Sequence, residues 1–240
     1  MRICTLLMLS CLLLGCGTSA DEISFDYTVS HYGALKNFMH ENDLSAKVDL
    51  SKFKDHEHLY GLGALENLKG EILIWDGKAY MSFTENNTVK IDTSFNHKAG
   101  LFVYVEISTW KSFAIPEDVK DYPSLELFVA ETAENHGIDV KTPFPFLLDG
   151  IFKTVDWHVI NWPEGDSLHT HEKHKTSGPH DVLENASADV LGFYSDQHHA
   201  IFTHHSTNMH LHFKTKQDDL AGHVDDIRLD QASLLLPVIE

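Results

Sequence analysis

The chain has 240 residues, and its 36 acidic against 18 basic side chains give a formal charge of −18, a balance that repels nucleic acid and excludes a nucleic-acid-binding role. At this length, with 42% of its residues hydrophobic, it can bury a substantial core, which sets disorder aside. Its 18 histidines far exceed ordinary usage, and imidazole is the commonest protein ligand for metals, so metal chemistry is the class to look for.

The chain opens MRICTLLMLSCLLLGCGTSADE, one basic residue and then an apolar run from Ile3 to Leu14. That run is too short to span a membrane and reads as an export signal. Leu13-Leu14-Gly15-Cys16 resembles the bacterial lipobox, which implies that residues 1–15 are removed and that a lipid on Cys16 anchors the exported chain to the cell envelope, at the periplasm or the cell surface. Cys4 and Cys11 leave with the signal, so the mature chain keeps no thiol free to form a disulfide. Residues 16–30 read as a linker.

In HYGALKNFMHEND, Tyr32, Leu35, Phe38 and Met39 recur at three- and four-residue spacing and predict a helix with one face on the core. From Leu59 the pattern turns to short β-type runs, LYGLGAL, EILIW, KAYMSF, TVKI and LFVYVEI, with Asp76-Gly77 as a strong hairpin signal. SLELFVAETAENHG predicts a helix capped by Ser124 and ended by Gly137. Strand patterns return in FKTVDWHVINW, DVLGFYS, HAIFTHH, MHLHFK, AGHVDDIRL and SLLLPVI. The expected fold is α+β: two β-rich layers with a few helices, divided into a mixed-sheet domain over 31–145 and an antiparallel β domain over 146–240 that carries the metal hairpin.

Side chains alternate along a strand, so in NMHLHF His210 and His212 project from one face while Met209, Leu211 and Phe213 share the other. The loop KTKQDD can reverse the chain, and a return strand starting near Gly222 brings His223 beside the pair. Three neutral imidazoles then converge on one ion and leave a position open for substrate, the arrangement of a catalytic metal. Two further tracts are histidine-rich: His169, His171, His174 and His180 in one, His198, His199, His204 and His205 in the other. Such tracts often bind metal. His204 is the best placed of them, since a strand beside the hairpin would present it to the same ion.

YGLGALENLKGEILIWDGKAYMSF, followed far downstream by MHLHFKTKQDDLAGHVDDI, resembles the alpha-acetolactate decarboxylase family, whose members share a Gly-Leu-Gly turn, a Gly-Glu strand start and a His-x-His…Gly-His metal hairpin. The similarity runs from HYGALKNFM to LLLP. It implies an exported member of that family: a two-domain α+β fold, a homodimer, and zinc or another divalent transition metal held by His210, His212 and His223. It also implies a carboxy-lyase acting on 2-acetolactate or a related 2-hydroxy-3-oxo acid, with Glu71 as the catalytic acid that delivers a proton to carbon.

The chain departs from the family pattern at three places. Where the family has an arginine after Phe-Lys-x-Val to hold the substrate carboxylate, FKTVDWHV offers Trp157 and His158, and Arg228 is the only arginine after Arg2. His158 is then the residue left to meet that carboxylate, as a weaker clamp than a bidentate guanidinium. The threonine after Gly-Leu-Gly is Ala64, and the family's second glutamate belongs to a segment beyond Glu240. A chain that kept the hairpin and lost the chemistry would instead be a histidine-rich metal-binding lipoprotein of the periplasm.

Overall fold

The computed structural model describes residues 27–239. The export signal, Cys16 and most of the linker lie outside the described residues, as does Glu240. Strands β1 (Ser30–Tyr32), β2 (Val48–Asp49), β3 (Leu59–Leu65), β4 (Glu71–Trp75), β5 (Lys78–Glu85), β6 (Thr88–Asp92) and β7 (Lys98–Glu106) form a first sheet in the order β1-β7-β3-β4-β5-β6, with β2 also on β7. Strands β8 (Trp110–Ala114), β9 (Phe144–His158), β10 (His180–Tyr194), β11 (Met209–Thr215) and β12 (Ala221–Pro237) form a second, ordered β11-β10-β9-β12-β8. Helices α1 (Leu35–Glu41), α2 (Tyr122–Asn135) and α3 (His171–Thr176) complete the α+β fold. Among the described residues every strand pairing in both sheets is antiparallel, so the expected mixed sheet is not found there.

The hairpin signal is realised in full: Trp75 pairs with Lys78 across Asp76 (φ 49) and Gly77 (φ 74), the two positive φ values that a two-residue turn matched to strand twist requires. EILIW reads as an unbroken apolar run because both faces of β4 are covered. Ile72 and Ile74 pack with Phe53, Ala79 and Met81 on the outer side, while Leu73 joins Leu62, Leu101, Leu147 and Phe193 between the sheets. Each large side chain fully buried there contributes about 1.5–3 kcal/mol.

The second sheet closes on itself. β11 pairs with β10 along one edge and, through Lys214↔Ala221, Phe213↔Gly222 and His212↔His223, with the start of β12 along the other. α2 covers this ring, burying Leu125, Val129 and Ala133 against Phe144, Phe146 and Leu211.

Four local expectations differ from the structure. The stripe from Tyr32 to Met39 is not one helix: Tyr32 ends β1, Gly33 turns the chain at φ +76, and of the stripe within α1 only Phe38 is fully buried, Met39 being exposed. In α2, Ser124 is the third helical residue rather than the cap; Asp121 caps the helix and exchanges hydrogen bonds with Ser124. HAIFTHH forms turns and an isolated bridge rather than a strand, with Ala200 in the left-handed region at φ 59. The change of sheet falls between Glu106 and Trp110, because Trp110–Ala114 pairs with Ser233–Pro237 at the end of β12 and so belongs to the second sheet.

Candidate active site

The start of β4 meets β9, β11 and β12 at the interface between the sheets. Register places the histidines there: on β12, His223 stands opposite His212 of β11 on one side and opposite His158, the last residue of β9, on the other. His210 lies two residues from His212 and shares its face. Gly222 permits the convergence, since a Cβ at that position would come within 2.7 Å of the His158 carbonyl oxygen.

His212 Nε2 is 3.2 Å from His210 Nε2 and 3.3 Å from His223 Nδ1, and the three ring centroids are 5.0, 5.1 and 5.2 Å apart. A tetrahedral ion with metal–nitrogen bonds of 2.0–2.1 Å sets neighbouring donor atoms about 3.3–3.4 Å apart. A single proton on His212 Nε2 bridges one neighbour; an ion satisfies all three nitrogens. Burial drives the pKa of His210 down to about 4 and holds His212 and His223 well below the ordinary imidazole value, so these rings are neutral with free lone pairs, the state a metal binds. The outward Nδ1 atoms of His210 and His212 are buried without a well-formed hydrogen bond, near the carbonyls of Phe202 and Ile72 that would orient the rings as outer-shell acceptors. The donor set fits zinc or another borderline divalent ion with one coordination position open.

Glu71 reaches the same place from the first sheet. It is 5% exposed; Oε1 accepts a hydrogen bond from the Ile160 N–H at 3.1 Å and lies 3.7 Å from His158 Nε2, while Oε2 lies 3.7 Å from His212 Nε2. Burial raises its pKa to about 7 against the opposing pull of His158 and the Ile160 N–H, so it can carry a proton near neutral pH. Ala64, its ladder partner on β3, adds only a methyl group.

His158 Nδ1 sits 2.9 Å from Asp225 Oδ2. Burial disfavours its charge, but the Asp225 hydrogen bond and the Glu71 carboxylate outweigh that and raise its pKa. Lys175 Nζ stands 3.8 Å from Asp225 Oδ2 and ties to Asp156 at 2.6 Å. His158, His223 and Asp225 also bring ligand atoms within 4.8 Å of one another, but the short hydrogen bond and the nearby ammonium account for that set without a second ion. Asp225, where β12 bulges between Val224 and Asp226, was not singled out from the sequence; its signal is its place two residues after His223, on the same face of a strand.

The structure therefore gathers Glu71, His158, His210, His212 and His223. It leaves His204 outside the three-histidine cluster: His204 lies in the irregular segment before β11, pairs its Nδ1 with Ser206 Oγ at 2.8 Å, and has the tilted rings of His171 and His205 beside it. Other tract histidines have structural partners. His169 stacks on Trp162 and bonds His174 at 2.8 Å, His180 bonds the Gly178 carbonyl, His198 bonds Ser195 Oγ, and His199 bonds Asn208.

A family model described as alpha-acetolactate decarboxylase matches residues 27–240. The chain is 24% identical over 213 residues to the alpha-acetolactate decarboxylase of Brevibacillus brevis, a match covering 89% of this chain and 69% of that protein. Among solved structures, alpha-acetolactate decarboxylase from Bacillus subtilis strain 168 superposes with a TM-score of 0.71 at 16% identity, covering 89% of this chain and 86% of that one. A Staphylococcus aureus protein of unknown function, described as similar to alpha-acetolactate decarboxylase, gives 0.70 at 17% identity over the same shares. These two likenesses establish a common fold.

Proposed function

The chain belongs to the alpha-acetolactate decarboxylase family and is a carboxy-lyase of that type, and from that premise we propose that it converts 2-acetolactate, or a closely related 2-hydroxy-3-oxo acid, to acetoin and carbon dioxide with a divalent ion held by His210, His212 and His223. The observation that carries this reading is the buried Glu71 carboxyl facing the three convergent imidazoles. An ion in that position would supply a Lewis acid for the ketone and hydroxyl oxygens of the substrate. The chain's own residues supply the rest. His158, fixed through Nδ1 by Asp225, turns Nε2 toward the site, where as an imidazolium it gives the substrate carboxylate one donor in place of a guanidinium fork. Glu71 gives its proton to the carbon that loses carbon dioxide, and its burial between the sheets keeps that proton from bulk water.

Export and a lipid on Cys16 belong to the same proposal; no helix among the described residues is long and apolar enough to cross a membrane. The test is acetoin formation from racemic 2-acetolactate, with the uncatalysed rate subtracted, by metal-stripped and zinc-reloaded protein. Activity that vanishes on stripping and returns on reloading supports the reading. Full zinc occupancy without acetoin supports the alternative of a metal-binding lipoprotein, which the missing arginine favours.

A further inference from the structure

We propose that His171, His204 and His205 form a second binding site for a divalent transition-metal ion, beside the buried cluster and of lower affinity. The fold brings together here two histidine tracts that are remote in sequence: His171 opens α3, and His204 and His205 follow one another in the turn before β11. The His171 and His204 ring centroids lie 4.9 Å apart, next to the 5.0–5.2 Å of the buried cluster, and the His205 ring, tilted by 44° to that of His204, lies 4.0 Å from it.

Nitrogen availability separates this set from the other histidine pairs. Among the described residues, neither ring nitrogen of His171 or His205 takes part in a side-chain hydrogen bond, and His204 uses Nδ1 alone, leaving Nε2 to ligate. The pair His169–His174 has a similar centroid separation, 5.1 Å, but His169 spends both nitrogens, one on His174 and one on Asn42. The three rings do not stand with their ligand atoms within 4.8 Å of one another, but His171 and His205 are exposed, so each can turn between staggered rotamers to bring a lone pair toward His204 Nε2. Three imidazoles without a carboxylate select zinc, nickel or copper over calcium or magnesium, and the −18 charge of the chain draws cations to the surface.

The test titrates the metal-stripped full chain with Zn²⁺ and counts ions by native mass spectrometry, with calorimetry for affinity and ¹⁵N spectra of the histidine rings to locate the second equivalent. Two ions per chain are expected, the second bound about 5- to 150-fold more weakly, from the ordering of two exposed rings, and shifting the His171 and His204 resonances. His171→Ala and His204→Ala each abolish the weak ion and keep the tight one; His212→Ala does the reverse. Saturation of the unmutated chain at one ion would overturn the assignment. So would a second ion that survives both substitutions and disappears in Asp225→Ala, which would put it among His158, His223 and Asp225. Because the readout is ion count and not acetoin, the result stands apart from the decarboxylase reading.

Discussion

Two sets of three histidines share this molecule on different foundations. His210, His212 and His223 stand on paired strands, where register and side-chain alternation fix their separations before any ion arrives. His171, His204 and His205 stand on a six-residue helix and an irregular turn, two of the three exposed. The first set holds three lone pairs in position at no further cost in side-chain entropy, whereas the second must immobilise exposed rings, each at about 0.5–1.5 kcal/mol. Imidazole count alone does not make a catalytic metal site; rigid placement with an acid opposite does, and only the strand-borne set has Glu71.

The comparison breaks most sharply at His212, the nitrogen shared between its two neighbours. His212→Ala is expected to remove the tight ion, abolish turnover, and lower the zinc-loaded protein to the stability of the stripped one, a loss of about 4 kcal/mol at free zinc near 1,000 times the dissociation constant. Elemental analysis and thermal unfolding check it, and stoichiometric tight zinc in the mutant would remove this set from its role.

Glu71→Gln separates chemistry from binding. It keeps a side chain of the same size able to accept from the Ile160 N–H but takes away the proton, so turnover should fall about 10²–10⁴-fold with the tight ion retained. Turnover near that of the unmutated protein would move the acid elsewhere.

Acid sharpens the contrast in the absence of metal. The pKa of His210 is about 4 in the folded chain and near 6.5 when unfolded, so below pH 6.5 the unfolded state takes up protons that the folded state refuses. Stability is full above pH 6.5 and declines as pH falls toward 4, by about 3 kcal/mol for this residue, with His212 and His223 adding in the same direction. Denaturant titrations with chelator present at pH 7.5 and pH 5 measure the loss. Glu71 and His158, whose pKa values are raised, gain stability over the same interval and offset part of this loss. The rings are therefore also read directly: ¹⁵N spectra of the stripped protein at pH 5 that show His210 protonated would overturn their being buried neutral. Zinc-loaded protein should resist to lower pH.

A smaller effect is expected at Asp225, which holds His158 without touching substrate. Asp225→Ala should reduce kcat/KM about 10–100-fold, chiefly through KM, while Asp225→Asn, still able to accept from Nδ1–H, should recover part of it. A change in kcat alone would contradict a carboxylate-holding role for His158.

The convergence of His210, His212 and His223 was legible in the sequence because every step to it is local: alternation puts His210 and His212 on one face, and a short loop must bring back whatever follows Gly222. The Asp76-Gly77 turn was legible for the same reason. What escaped depends on distant partners. Trp110–Ala114 is a short, half-exposed strand until β12 supplies its neighbour, and Asp225 is one acidic residue among 36 until His158 arrives across the sheet. HAIFTHH has the composition of a strand, but no long strand pairs with it. Glu71 and His158 were singled out only through the family resemblance, since spacing alone marks neither.

The ligands of the buried cluster span only residues 210 to 223, whereas Glu71 and His158 must be brought in from 139 and 52 residues before His210. Closing a loop of about a dozen residues costs little chain entropy and takes well under a microsecond, while pairing β9 with β12 and seating β4 across the interface are slow, long-range events. The three-histidine cluster is thus expected to close before Glu71 and His158 reach it. On the proposed reading, an ion met during folding would bind this hairpin first and hold its register while the long strands search for theirs.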